Sequence, residues 1–116
     1  MSDAGAAIKA KIRQELLAAA KARRAEETRL LRVLLAAFDN AQALPVGSAH
    51  DRYRVRMFGD PSGEVPRRVL GESDVRDLLL REQAERIAAA QQFEGLGRSE
   101  EAARLRAEAA LIARYL

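Results

Sequence analysis

All three prolines of this chain fall between Leu44 and Gly71, together with four of its seven glycines. Proline removes a backbone donor and clashes with the preceding helical turn, and glycine costs about 1 kcal/mol in a helix interior. Their confinement leaves a long tract on each side in which nothing forbids continuous helix. The fold class then depends on whether those tracts carry apolar residues at helical spacing.

They do. In the first tract, Ile8, Ile12, Leu16 and Ala19 or Ala20 form one narrow stripe, which predicts a helix over Ala6–Arg24. Lys9, Lys11, Arg13, Lys21, Arg23 and Arg24 cover much of its remaining surface. They read as solvated bases, the last three favoured by the helix dipole. A second helix is expected over Glu26–Ala43, with a wider face of Leu30, Leu31, Leu34, Leu35, Phe38 and Ala41. In the last tract, Ser73 reads as an N-cap. The helix behind it draws apolar contacts from Val75, Leu78, Leu79, Ile87 and Phe93. Its stripe breaks at Glu82 and Gln83, so part of it is expected to be exposed. Gly95 or Gly97 closes it. Ser99 reads as the cap of a fourth helix, whose Leu105, Ala109, Ile112 and Leu116 share one face beside Leu111 and Tyr115. The short turn between the two makes them an antiparallel hairpin. The expected fold is all-α: a single domain over 1–116, a small bundle with a long C-terminal hairpin and an inserted loop over 44–71.

That loop is basic. Arg52, Arg54, Arg56, Arg67 and Arg68 stand against Asp51, Asp60 and Glu64. Tyr53–Phe58 alternates apolar residues with arginine, so a short β-arm is an alternative to irregular loop. A loop of this length inside one domain is functional or mobile.

Composition narrows the function. Apolar residues make up 48% of the chain, but aromatics only 4%, so the core is thin and helices approach closely. There is no cysteine, which removes disulfides and thiolate metal sites and fits a reducing cytoplasm. No apolar run is long enough to span a membrane, and the N-terminus lacks the order of a signal peptide. Twenty bases against seventeen acids give a net charge of +3, which permits a nucleic-acid partner without demanding one.

Catalytic patterns are absent. His50 is the sole histidine, and zinc wants several His or Cys ligands. Ser2, Ser48, Ser62, Ser73 and Ser99 have only that one histidine as a base, so no triad is expected. Glu82 with Arg86, and Arg81 with Glu85, are spaced as ion pairs along a helix rather than as acid–base machinery. None of the glycine-bearing stretches matches a phosphate-binding loop. Binding is the remaining class. Arg29 and Arg32, three apart, suit a phosphate or simply reach water, and Tyr53 and Phe58 beside loop arginines suit stacking on bases or, as an edge strand, packing on another subunit.

The order of residues resembles the GatB/YqeY family. In the second helix the matching positions are Arg32, Ala36, Ala37 and Asn40. In the hairpin they are Arg81, Glu82, Arg86, Phe93, Glu94, Gly97, Arg98, Glu108, Leu111, Tyr115 and Leu116. The Phe-Glu-x-x-Gly-Arg turn and the closing Tyr-Leu are the most specific parts. The family comprises YqeY-like proteins and the helical C-terminal part of the B subunit of glutamyl/aspartyl-tRNA amidotransferase. Its members continue past the Tyr-Leu with a proline and a three-helix domain. The chain is therefore expected to correspond to the N-terminal helical domain alone, and the 44–71 segment is longer than the family linker. The resemblance implies association with tRNA or with a tRNA-amidotransferase complex. It carries the label of a carbon–nitrogen ligase using glutamine as amido donor. The amidase and ATP-using parts are not resembled, so the expectation is a non-catalytic module without cofactor. Arg29, Arg32, Arg52, Arg54, Arg56, Arg67, Arg68, Arg81, Arg86 and Arg98 are its candidate RNA or partner contacts, although for Arg32, Arg81, Arg86 and Arg98 ion pairs that fix the helix packing are the favoured reading. Asn40, Glu82, Phe93, Gly97, Glu108 and Tyr115 are its structural motif positions. The alternative is a protein–protein adaptor or homodimer that binds no RNA.

Overall fold

The computed structural model describes residues 3–43 and 68–116. Four helices lie within them: α1 (Ala4–Lys21), α2 (Ala25–Ala43), α3 (Glu72–Gly95) and α4 (Ser99–Ala113). Among the described residues there is no strand, and the class is all-α. The suggested arm at Tyr53–Phe58 lies outside the described residues.

The helix ends show what the spacing of apolar residues could not. Asp3 caps α1, its Oδ1 accepting from the Ala6 N–H at 2.9 Å, so the helix starts two residues earlier than expected. It also stops earlier, at Lys21, because Arg23 takes a left-handed φ of 59°. The Arg24 N–H donates to the Ala19 carbonyl at 3.0 Å and the Arg23 N–H to that of Ala20 at 3.1 Å. Those two bonds define a Schellman cap with arginine where glycine is usual. Ser73 is not the cap of α3. That position is Gly71, whose N–H donates to Asp74 Oδ2 at 3.0 Å, while Ser73 lies in the first turn. Ser99 likewise begins α4 from within, with Arg98 at the cap position.

α1 packs along α2, and α3 along α4. Between these two hairpins, α3 supplies the main contacts to α1 and α2. The common core is the wide face of α2, with Leu31, Leu34 and Phe38 fully buried, joined by Ile12, Leu79 and Ile112. Ile87 and Leu116, expected inside, are each 42% exposed. Beyond the core, α3 and α4 meet through Ala90, Ala102 and Ala109, residues too small to need larger neighbours.

Two features inside the core were hidden from the sequence. Lys9, read as a solvated base, is only 9% exposed, and its Nζ donates to Asp39 Oδ1 at 2.8 Å across the α1/α2 contact. Leu70, assigned to the loop, is 2% exposed. It packs against Gly5, whose N–H donates to the Leu70 carbonyl at 3.0 Å. A Cβ on Gly5 would stand 3.0 Å from the Cβ of Leu70 and 3.2 Å from the Gln42 amide nitrogen, so a larger residue would push α1 and Leu70 apart by a few tenths of an ångström.

Candidate nucleic-acid interface

The first turn of α2 carries Glu26 and Glu27, both already engaged by other arginines. Glu27 pairs with Arg24 at 3.2 Å, and Glu26 with Arg104 of α4 at 2.9 Å. With those acids occupied, the bases around them dominate the local field. Arg23, Arg29 and Arg32 are exposed, and their side chains make no ion pair or hydrogen bond among the described residues. All three line an open groove of about 630 Å³, floored by the small residues Ala20, Ala25 and Ala36. Arg29 and Arg32 are one turn apart, as their spacing indicated. Arg23 reaches the same groove from the α1–α2 turn and was not anticipated. No pattern announces a left-handed arginine, and its neighbours in the sequence gave it the look of an ordinary helix-end base.

The other candidate residues have different surroundings. Arg86 is held in the α3/α4 contact, with a side chain only 14% exposed. Its Nε donates to Glu108 at 3.0 Å, and its Nη1 to the Glu82 carboxylate at 2.9 Å and the Glu82 carbonyl at 3.0 Å. Three motif positions thus form one network joining the helices. The polar break in the α3 stripe is half-buried here, and Gln83 also donates across to the Ala109 carbonyl at 3.3 Å.

Phe93, Gly97 and Arg98 form the turn. Gly97 has a φ of 75°, the Arg98 N–H donates to the Phe93 carbonyl at 2.9 Å, and the Gly97 N–H to that of Glu94 at 3.0 Å. This is a second Schellman cap. Its usual apolar contact is replaced by the Arg98 guanidinium, 5.4 Å from the centre of the Phe93 ring. Arg98 also reaches Glu101 at 2.5 Å. Glu94, beside it, takes a two-pronged contact from Arg106, both bonds at 2.7 Å, which holds its carboxyl below the usual range. The Phe-Glu-x-x-Gly-Arg pattern is thereby accounted for by turn chemistry.

Tyr115 donates its hydroxyl to Glu15 of α1 and lies under Lys11, whose Nζ is 5.5 Å from the ring centre. Burial first, and the Glu15 bond second, keep that hydroxyl protonated well above the ordinary tyrosine range. Tyr115, Lys11 and Arg76 border a second groove of about 780 Å³, but Asp3 and Glu72 share its rim. Its mixed charge suits a polyanion less than the α2 groove does. Arg68 lies 3.6 Å from Asp74. Arg81 and Asn40 are exposed, and the Arg81–Glu85 pair expected from spacing does not form. Arg52, Arg54, Arg56, Arg67 and His50 lie outside the described residues. Among the described residues no cluster of carboxylates or histidines could hold a metal, and no helix is long and apolar enough to cross a membrane.

No protein-family model, no curated protein and no solved structure matches this chain.

Proposed function

We propose that the chain is a non-catalytic, cytoplasmic binding module of the GatB/YqeY type that grips the backbone of tRNA, alone or within a tRNA-amidotransferase complex. One observation carries the reading: Arg23, Arg29 and Arg32 converge, unpaired, on one groove whose neighbouring acids are occupied elsewhere. A left-handed arginine costs about 1 kcal/mol relative to glycine, and such strain persists most often where a side chain has work to do. The order of helices, and the Phe93–Arg98 turn at the end of a long hairpin, support the family part of the reading. A groove lined by three arginines with alanines, Thr28 and Val33, and no aromatic, suits phosphates rather than base stacking.

The test is a titration with bulk tRNA at two salt concentrations. Three phosphate contacts lower log K by about 2 to 3 per decade of salt, and Arg29→Ala with Arg32→Ala removes about 2 of that slope. A triple Arg52→Ala, Arg54→Ala, Arg56→Ala variant measures the share of the central segment. No binding at low salt sinks the reading. The second reading, a homodimer or adaptor without RNA, is favoured by the apolar residues Leu80 and Ile87 exposed on α3.

A further inference from the structure

The groove on α2 has a second wall, formed by α1. Two contacts fix how these antiparallel helices stand beside each other: Lys9 meets Asp39, and Gly5 lies against Gln42. On that register Arg13 stands level with Leu35, next to Ala36, where the α2 lining of the groove ends. Arg13 also precedes Ala20, which lines the groove from α1, by seven residues, or about two turns, so the two share one helix face. It is exposed, and its side chain makes no ion pair or hydrogen bond among the described residues. Arg13 thus carries the basic surface of Arg23, Arg29 and Arg32 about 10 Å beyond Ala20 along α1.

The acids of this hairpin do not offset that surface. Glu26 and Glu27 are bound by Arg104 and Arg24, and Asp39 by Lys9. Glu15 accepts from Tyr115 on the α4 side, and Asp3 lines the other groove. Nor does the face offer a base anything to stack on, because Phe38, the single aromatic of α1 and α2, is fully buried.

We propose that this face clasps a double-helical stretch of RNA. Arg13 on one wall, and Arg29 and Arg32 on the other, meet phosphates of the two strands that border one groove of the duplex. The inference rests on the phosphate-binding role proposed above and narrows the ligand from RNA backbone in general to duplex. Cations on two packed helices, with axes about 8–10 Å apart, keep a fixed spacing. A duplex presents its phosphates at fixed spacing too, and is recognised by shape and backbone. A single strand is held chiefly by stacking its bases on aromatic side chains, which this face lacks. Arginine suits the task because its planar fork can take two phosphate oxygens at once.

Fluorescence anisotropy tests this with a blunt RNA duplex of about 16 base pairs and an unstructured single strand of the same length, with tRNA alongside. The duplex is expected to bind at least about tenfold more tightly than the strand, and a second duplex of different sequence to bind equally. Arg13→Ala lowers the salt slope of duplex binding by about 1, as Arg29→Ala does. Arg114→Ala, which removes an exposed base of the other hairpin, leaves it unchanged. Circular dichroism stays the same in all three variants. A single strand bound as tightly as the duplex overturns the proposal. So does a salt slope that Arg13→Ala leaves at the wild-type value, or that Arg114→Ala lowers equally. Binding of tRNA that depends on Arg29 but shows either of these results defeats the duplex clasp alone, whereas no tRNA binding at low salt defeats the phosphate site with it.

Discussion

Ala19–Arg24 and Phe93–Arg98 trace the same turn with different residues. Each closes a helical hairpin, and each carries the same pair of backbone bonds. One uses Gly97 at the left-handed position and the other Arg23. The hairpins they close differ as well. α1 and α2 are joined by Ile12, Ala19, Leu31, Leu34 and Phe38, all fully buried. α3 and α4, beyond the core, are joined by alanines, the Arg86 network and the Arg106–Glu94 contact. Where apolar packing is deep, the fold tolerates the wrong residue in a turn. Where packing is thin, turn and ion-pair chemistry must be right.

The largest expected effect lies on the deep side. Phe38→Ala should cost about 3–5 kcal/mol in chemical denaturation, a large fraction of the stability of an ordinary domain. A cost near that of an exposed residue would mean the core is elsewhere. Second comes Arg86→Met, which leaves Glu82 and Glu108 facing each other, half-buried and without a cation. A loss of about 2 kcal/mol is expected, with hydrogen exchange rising in α3 and α4 ahead of α1 and α2. Uniform exchange across both hairpins would contradict the division drawn here.

The turns themselves give opposite signs. Gly97→Ala is expected to destabilise by about 1 kcal/mol, and Arg23→Gly to stabilise by a similar amount while weakening tRNA binding. Equal signs would break the comparison between them. Smallest is a pH effect at Glu94. Arg106 depresses the carboxyl in the folded state, so its contribution is full above the unfolded value near 4.5 and is lost as pH falls through the folded one. Glu94→Gln should flatten that part of the acid limb, read as melting temperature against pH. Exposure of both partners to solvent keeps the change small.

Much of this was legible in the sequence where one helix face decides the outcome. Leu30, Leu31, Leu34 and Phe38 stand at regular spacing, and all are buried. The failures have a common cause, which is contact between distant residues. Lys9 looks solvated until Asp39, thirty positions away, supplies its partner. Leu70 looks like loop until Gly5 makes room for it. Ile87 and Leu116 sit on plausible stripes, but α3 and α4 meet through alanines, which leaves both half in solvent. Arg29 and Arg32 could be singled out from spacing. Arg23 could not, because its place in the groove depends on a backbone angle that no neighbouring residue signals.

One backbone bond, close to the Gly5–Leu70 contact, bears on how this domain accommodates change. The Arg68 N–H donates to the Gln42 carbonyl at 2.8 Å, so the chain leaves α2 and returns at nearly the same point. The two described ends of the intervening segment are therefore already clamped by the fold. Its closure entropy depends only on the logarithm of its length, with each doubling costing about 0.6 kcal/mol. The join between Gln42 and Arg68 thus marks a point where the length and sequence of the intervening segment can drift while the four helices keep their register.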